Sequence, residues 1–166
     1  MRCIEWAGVR LFESFVEMPR GWATNLLEEF FKHQGSVDKS HKIAGRWENQ
    51  YLTIDHAPSA RIPMRFARNM GKDGLDISSM ILFEAPSGSP NPHPPFWFNV
   101  AGKGEKTGLH DHAHGSILSA VTYLQAEENC GHLYFRKEGF EDLTIKPEVG
   151  KIIIFPPSLL HGVHAN

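Results

Sequence analysis

The apolar positions of this chain change their spacing partway along it. Over residues 4–16 they suggest an extended segment, and beyond it Leu26, Leu27, Phe30 and Phe31 follow helical spacing. Thr24 or Asn25 is placed to cap that helix and Gly35 to end it. Residues 33–44 are polar and without strong period, which predicts a loop before the run at 47–54, and Pro58 and Pro63 then punctuate the chain. One helical element is expected in this part, with room for a second.

The second half consists of short β-branched and aromatic runs separated by Gly and Pro, the pattern of a sandwich or barrel of short strands. Strands are expected at 79–84, 96–101, 117–125, 132–136, 143–146 and 151–155. Between the first two, Pro86, Pro90, Pro92, Pro94 and Pro95 cannot donate ladder hydrogen bonds, so 85–95 reads as a loop on a cleft rim. The expected fold is mainly β with an N-terminal helix packed beside a jelly roll. Residues 1–166 are read as a single domain, with 1–60 the helical and extended part and 79–166 the jelly-roll core.

Length and charge add little to that picture. A chain of 166 residues suits one core without covalent staples, and 17 Lys and Arg against 19 Asp and Glu give no field that favours nucleic acid or a membrane surface. Cys3 and Cys130 lack CxxC spacing, which points to a reducing, cytoplasmic setting. The first residues alternate charged and apolar types, unlike a signal peptide or membrane span.

Histidine changes the picture more. Of ten histidines, five fall at 110, 112, 114, 161 and 164, within two short windows. On an extended strand His110 and His112 share a face and can close on one ion. A third ligand, His161, follows an apolar strand and a Pro156-Pro157 turn, a spacing that suits delivery from the opposite strand. Three such groups would leave positions open on an octahedral iron, for which the usual set is two His and one carboxylate. Asp111 is the fallback third ligand, although as a direct neighbour of His110 it should face away. His114 and His164 read as loop residues or as donors that orient a ligand.

These residues also carry a resemblance. Phe98-Asn99-Val100, His110-x-His112, the run Ser116 to Leu124, Gly131 to Arg136, Lys146 to Pro156 and Leu160 to Val163 together resemble the 2-oxoglutarate and Fe(II)-dependent oxygenases of the HxH-containing type, over residues 96–166. The resemblance implies a double-stranded β-helix (jelly roll, cupin-like), Fe(II) on His110, His112 and His161, and 2-oxoglutarate as cosubstrate with dioxygen. It also implies an arginine for the cosubstrate's far carboxylate on a strand after the distal histidine, where this sequence ends at Asn166. Arg136 is the candidate substitute, ahead of Arg65 and Lys151, with Asn99, Ser119 and Tyr123 as hydrogen-bonding partners. Tyr123 is the best of these, because an amphipathic ring on a strand can line a pocket. A missing last strand would leave an edge for a homodimer to cover.

Two other readings use the same residues. Gly104, five residues and His110-x-His112 open the cupin pattern, whose following Glu is absent here, and a cupin would keep three histidines and drop 2-oxoglutarate. A jelly roll that binds metal or ligand without turnover is the other. Phe96, Trp97 and Phe98 are read as core by strand alternation. The substrate, a small molecule or otherwise, has no readable code in 85–95 or 102–109.

Overall fold

The computed structural model describes residues 1–166. Ten strands and two helices form two four-stranded sheets, a separate hairpin and a helical layer. The extended N-terminal segment is a hairpin of β1 (Arg2–Trp6) and β2 (Val9–Phe15). Its turn residues Ala7 and Gly8 both have positive φ, which matches the twist of a two-residue hairpin loop. Ala44 and Gly45 make the same turn between β3 (Asp38–Ile43) and β4 (Arg46–Tyr51). That hairpin corrects the loop expected at 33–44. The strand escapes hydrophobic periodicity because it is exposed almost throughout.

Helix α1 (Trp22–Lys32) starts earlier than Thr24 or Asn25 would set it and stops before Gly35. Trp22 is the reason for the early start, since its buried ring donates from Nε1 to the Val16 carbonyl at 2.7 Å and pins the first turn to the core. Residues Gln34–Ser36 then make one tighter turn. A second helix, α2 (Arg61–Leu75), runs through Pro63, which sits in the first turn where its missing N–H has no intrahelical partner to lose.

The first sheet has the order β1-β2-β9-β6 and the second β5-β10-β7-β8. Their remaining members are β5 (Thr107–His110), β6 (Ser119–Thr122), β7 (Leu133–Arg136), β8 (Leu143–Ile145), β9 (Lys151–Phe155) and β10 (Leu160–Val163). The strands predicted at 117–125, 132–136 and 143–146 occur trimmed at one or both ends, and the one predicted at 151–155 occurs at those bounds. Residues 79–84 form no strand, and 96–101 supply only a bridge between Phe98 and Gln50. Pro86, Pro90, Pro92, Pro94 and Pro95 lie between these two segments and remove ladder donors there.

Strand β9 explains its own composition. Ile152 and Ile154 face a cluster with Phe12, Trp22, Leu26, Phe30, Ala67 and Met70, between the first sheet and the helices. Ile153 and Phe155 face Leu11, Leu133, Phe135 and Ile145 in a second cluster between the two sheets. A strand covered on both faces must be apolar without alternation. Helix α2 reaches the sheet through small residues: a side chain at Gly74 would stand 2.9 Å from the Phe12 ring. No helix is long and apolar enough to cross a membrane.

Candidate metal centre

In the second sheet β5 and β10 are antiparallel neighbours, and His110 and His161 are paired directly across the ladder. His112 lies two residues past His110, beyond the end of β5, where its backbone N–H donates to Pro157 O at 2.8 Å. The three rings converge, with centroids 4.9 Å apart for His110 and His112, 4.3 Å for His110 and His161 and 5.1 Å for His112 and His161. One ligand nitrogen from each lies within 4.8 Å of the others, a grouping that could hold a metal ion.

Hydrogen bonding fixes how two of these rings are protonated. Nδ1 of His110 lies 2.7 Å from Gly108 O, and Nδ1 of His161 lies 2.9 Å from Leu159 O. A carbonyl only accepts, so each Nδ1 carries the proton and each Nε2 keeps its lone pair, the arrangement a metal ligand needs. Burial also lowers the pKa of His161 to about 4, against a smaller opposing effect of the Leu159 carbonyl and with His110 and His112 adding to it. The His112 pKa is lowered as well, first by burial and then by His110. Neutral nitrogen donors on a rigid sheet fit a divalent first-row metal such as iron.

Asp111 does not join them. Its Oδ1 accepts the Ala113 N–H at 3.1 Å, which closes a turn just after β5. His114 is exposed, and His164 stacks on Tyr134 with centroids 4.4 Å apart.

The residues considered for a cosubstrate carboxylate are scattered. Tyr123 has a buried hydroxyl without a hydrogen-bond partner, and burial, with Cys130 adding to it, raises its pKa. Ser119 is buried on β6 opposite Phe155, whose ring lies 4.8 Å from that of His161. Asn99 is already engaged, accepting from Arg46 and donating to Thr107 Oγ1 at 3.2 Å. Arg136 is engaged elsewhere, pairing with Asp142 at 2.7 Å, and is exposed. Phe135, the residue beside it on β7, is the one whose ring lies near His161, so Arg136 takes the opposite face. Lys151 is held by the Lys146 carbonyl and Glu148, and Arg65 lies over the Phe83 ring.

Three features of the site have no signature in local sequence pattern. Arg46 on β4 is nearly buried and donates to Val100 O at 2.8 Å and Lys106 O at 3.1 Å. Glu48, also buried, accepts the Gly108 N–H at 3.1 Å, and the carbonyl of that same Gly108 orients His110. The β3–β4 hairpin therefore braces the strand that carries the first histidine. Trp97 is a correction: it is 36 % exposed rather than core, and its ring lies 5.2 Å from that of His112. An Ala-Gly dipeptide between two polar runs was the available signal for the hairpin.

No protein-family model matches this sequence, and no curated protein does. Solved structures do match. A Pseudomonas putida prolyl-4-hydroxylase superposes with a TM-score of 0.65 at 15% identity, over 93% of this chain and 84% of the other. A Trichoplax adhaerens prolyl hydroxylase, solved with a hypoxia inducible factor oxygen degradation domain peptide fragment, gives 0.64 at 13% identity, over 93% and 77%. A Burkholderia pseudomallei oxidoreductase of the 2OG-Fe(II) oxygenase family gives 0.58 at 14% identity, over 99% and 87%. The chain shares their fold. At such identities the likeness speaks for architecture, and the chemistry has to be argued from the histidines.

Proposed function

We propose that this protein is a 2-oxoglutarate- and Fe(II)-dependent oxygenase on a double-stranded β-helix, with the metal held by His110, His112 and His161. The observation that carries the proposal is the convergence of three imidazoles, two of them locked by backbone carbonyls with Nε2 free, on a fold shared with such oxygenases. Iron and 2-oxoglutarate, when bound, would supply dioxygen activation and oxidation of a substrate C–H bond.

The chain's own part is to bind and orient. The Gly108 and Leu159 carbonyls hold two rings in the ligating tautomer, and Glu48 fixes Gly108 from behind. Tyr123 is the proposed hydrogen-bond donor to the cosubstrate's far carboxylate: its hydroxyl is buried, unpartnered and kept protonated by that burial. Ser119 is a second donor from the same strand region. Asn99 and Arg136, spent on Arg46 and Asp142, are weaker choices.

One observation favours a second reading. The triad contains no carboxylate, which suits a cupin-type three-histidine metal protein as well as an oxygenase. Anaerobic titration with Fe(II) and then 2-oxoglutarate separates them. The proposal expects a weak visible charge-transfer band on adding the 2-oxo acid, lost in His161→Ala and weakened in Tyr123→Phe. Iron binding without that band would leave the cupin-type reading.

A further inference from the structure

His41 is a residue that neither the core nor the metal centre explains. It lies inside β3 with φ of 57°, in the left-handed region, where the ladder to β4 is interrupted between Ser40↔Asn49 and Lys42↔Trp47. A non-glycine residue held in that region is strained, and such strain collects at ligand-binding sites. The hairpin turn does not require it, since Ala44 and Gly45 make the turn. Burial does not compensate for it either, because His41 is exposed.

The neighbours of the ring fix which nitrogen is protonated. Nδ1 lies 2.7 Å from Ser40 Oγ and 3.2 Å from Asn49 Nδ2, and the same Asn49 nitrogen donates to the Tyr51 hydroxyl at 2.9 Å. An amide nitrogen only donates, so Nδ1 accepts and the neutral ring carries its proton on Nε2. His110 and His161 are protonated the other way round. They offer lone pairs, whereas His41 offers an N–H, which unfits it as a fourth ligand and suits it to an acceptor oxygen.

An apolar surface belongs to the same network. Tyr51, which anchors Asn49, has its ring 6.1 Å from Trp97, and Trp97 in turn lies beside His112 with its indole partly exposed. Tyr51 is backed by His93, stacked on it at 4.1 Å and paired with Asp38 at 3.2 Å. Through Asn49 and Tyr51 a hydrogen-bond donor is thus joined to the aromatic face that lies beside the triad.

We infer that His41 is a substrate-binding residue that donates its Nε2–H to a carbonyl or carboxylate oxygen of a substrate whose apolar part lies against Trp97. The assignment rests on the proposed metal centre for where the chemistry occurs. It is tested on the full chain loaded with Zn(II), with labelled histidine and tryptophan side chains read by NMR. The probes are 3-methylbutanamide, 3-methylbutanoate and 3-methylbutylammonium, which share one alkyl group and differ in the acceptor oxygen.

His41 is expected to show the Nε2–H tautomer before any probe is added. The amide, the carboxylate or both shift the His41 and Trp97 signals saturably, which tells the two oxygen sources apart, while the ammonium leaves His41 unmoved. His41→Gln, which keeps a donor, retains the affinity, and His41→Phe weakens it by about five- to tenfold, the worth of one hydrogen bond. A proton on Nδ1, no saturable shift with either oxygen probe, or equal binding by folded His41→Phe would overturn the inference. Failure of Zn(II) to bind would count against the metal centre instead, and the same titration of the metal-free chain would still decide the role of His41.

Discussion

Strands β9 and β3 have opposite characters. Every residue of β9 is buried, and its isoleucines hold two cores together, one on each face. β3 is exposed at all positions but Ser40, carries Asp38, Lys39, His41 and Lys42, and contains a residue with left-handed backbone. β9 lies in the middle of its sheet, between β2 and β6, whereas β3 pairs only with β4. The difference separates two jobs. One strand makes the scaffold rigid through burial, and the other presents polar side chains at the surface around a left-handed residue.

Substitutions that exchange those characters should show it. The largest effect is expected for Ile153→Ala, which empties space at a fully buried position between the sheets and should cost about 2–5 kcal/mol in denaturant unfolding. A loss below 1 kcal/mol would mean that β9 is not the central support.

Acidification comes next. In the metal-free folded protein His161 takes up a proton only near pH 4, while in the unfolded chain it does so near 6.5. The unfolded state therefore binds more protons between those values. Its neutral burial costs nothing above pH 6.5, and stability falls through the window at up to about 1.4 kcal/mol per pH unit as pH drops to about 4. Unfolding midpoints measured with a chelator across that range should show the slope, and His161→Leu should flatten it.

A smaller effect belongs to Gly162, next to His161. A side chain there would meet the Tyr134 hydroxyl at 2.8 Å and the Thr107 carbonyl at 2.9 Å, so Gly162→Ala should push β10 from β5 at a cost of about 1–3 kcal/mol. Metal affinity should fall with it, since the pairing of His110 and His161 depends on that contact. The smallest effect has the opposite sign. His41→Gly relieves left-handed strain and should leave thermal stability unchanged or raise it by up to about 1 kcal/mol. A loss of more than that would place His41 among the scaffold residues and end the contrast with β9.

The same contrast decides what could be read from the sequence. Strand β9, the Pro-Pro turn and the paired windows of histidine were legible because burial and ligation impose residue types at fixed spacing. Strand alternation favours His112 over Asp111 beside His110, and the structure groups His112 with His110 and His161 even though His112 lies just past β5. Residues 33–44, which include β3, read as a loop, since an exposed strand leaves no hydrophobic period. Arg46, Glu48 and His41 were missed with it, their roles resting on partners about 60 residues away or on backbone angles. Trp97 was assigned to the core by alternation, which fails where a segment forms a single bridge instead of a ladder.

The most direct test of the three-histidine centre is Fe(II) affinity, measured anaerobically for the wild type and for His110→Ala, His112→Ala, His161→Ala and Asp111→Ala. The account predicts one tight site, a loss of on the order of a hundredfold or more in each histidine variant, and affinity within a few-fold of wild type for Asp111→Ala, whose carboxylate is occupied by the Ala113 N–H. Near-wild-type binding by His112→Ala together with loss in Asp111→Ala would contradict it.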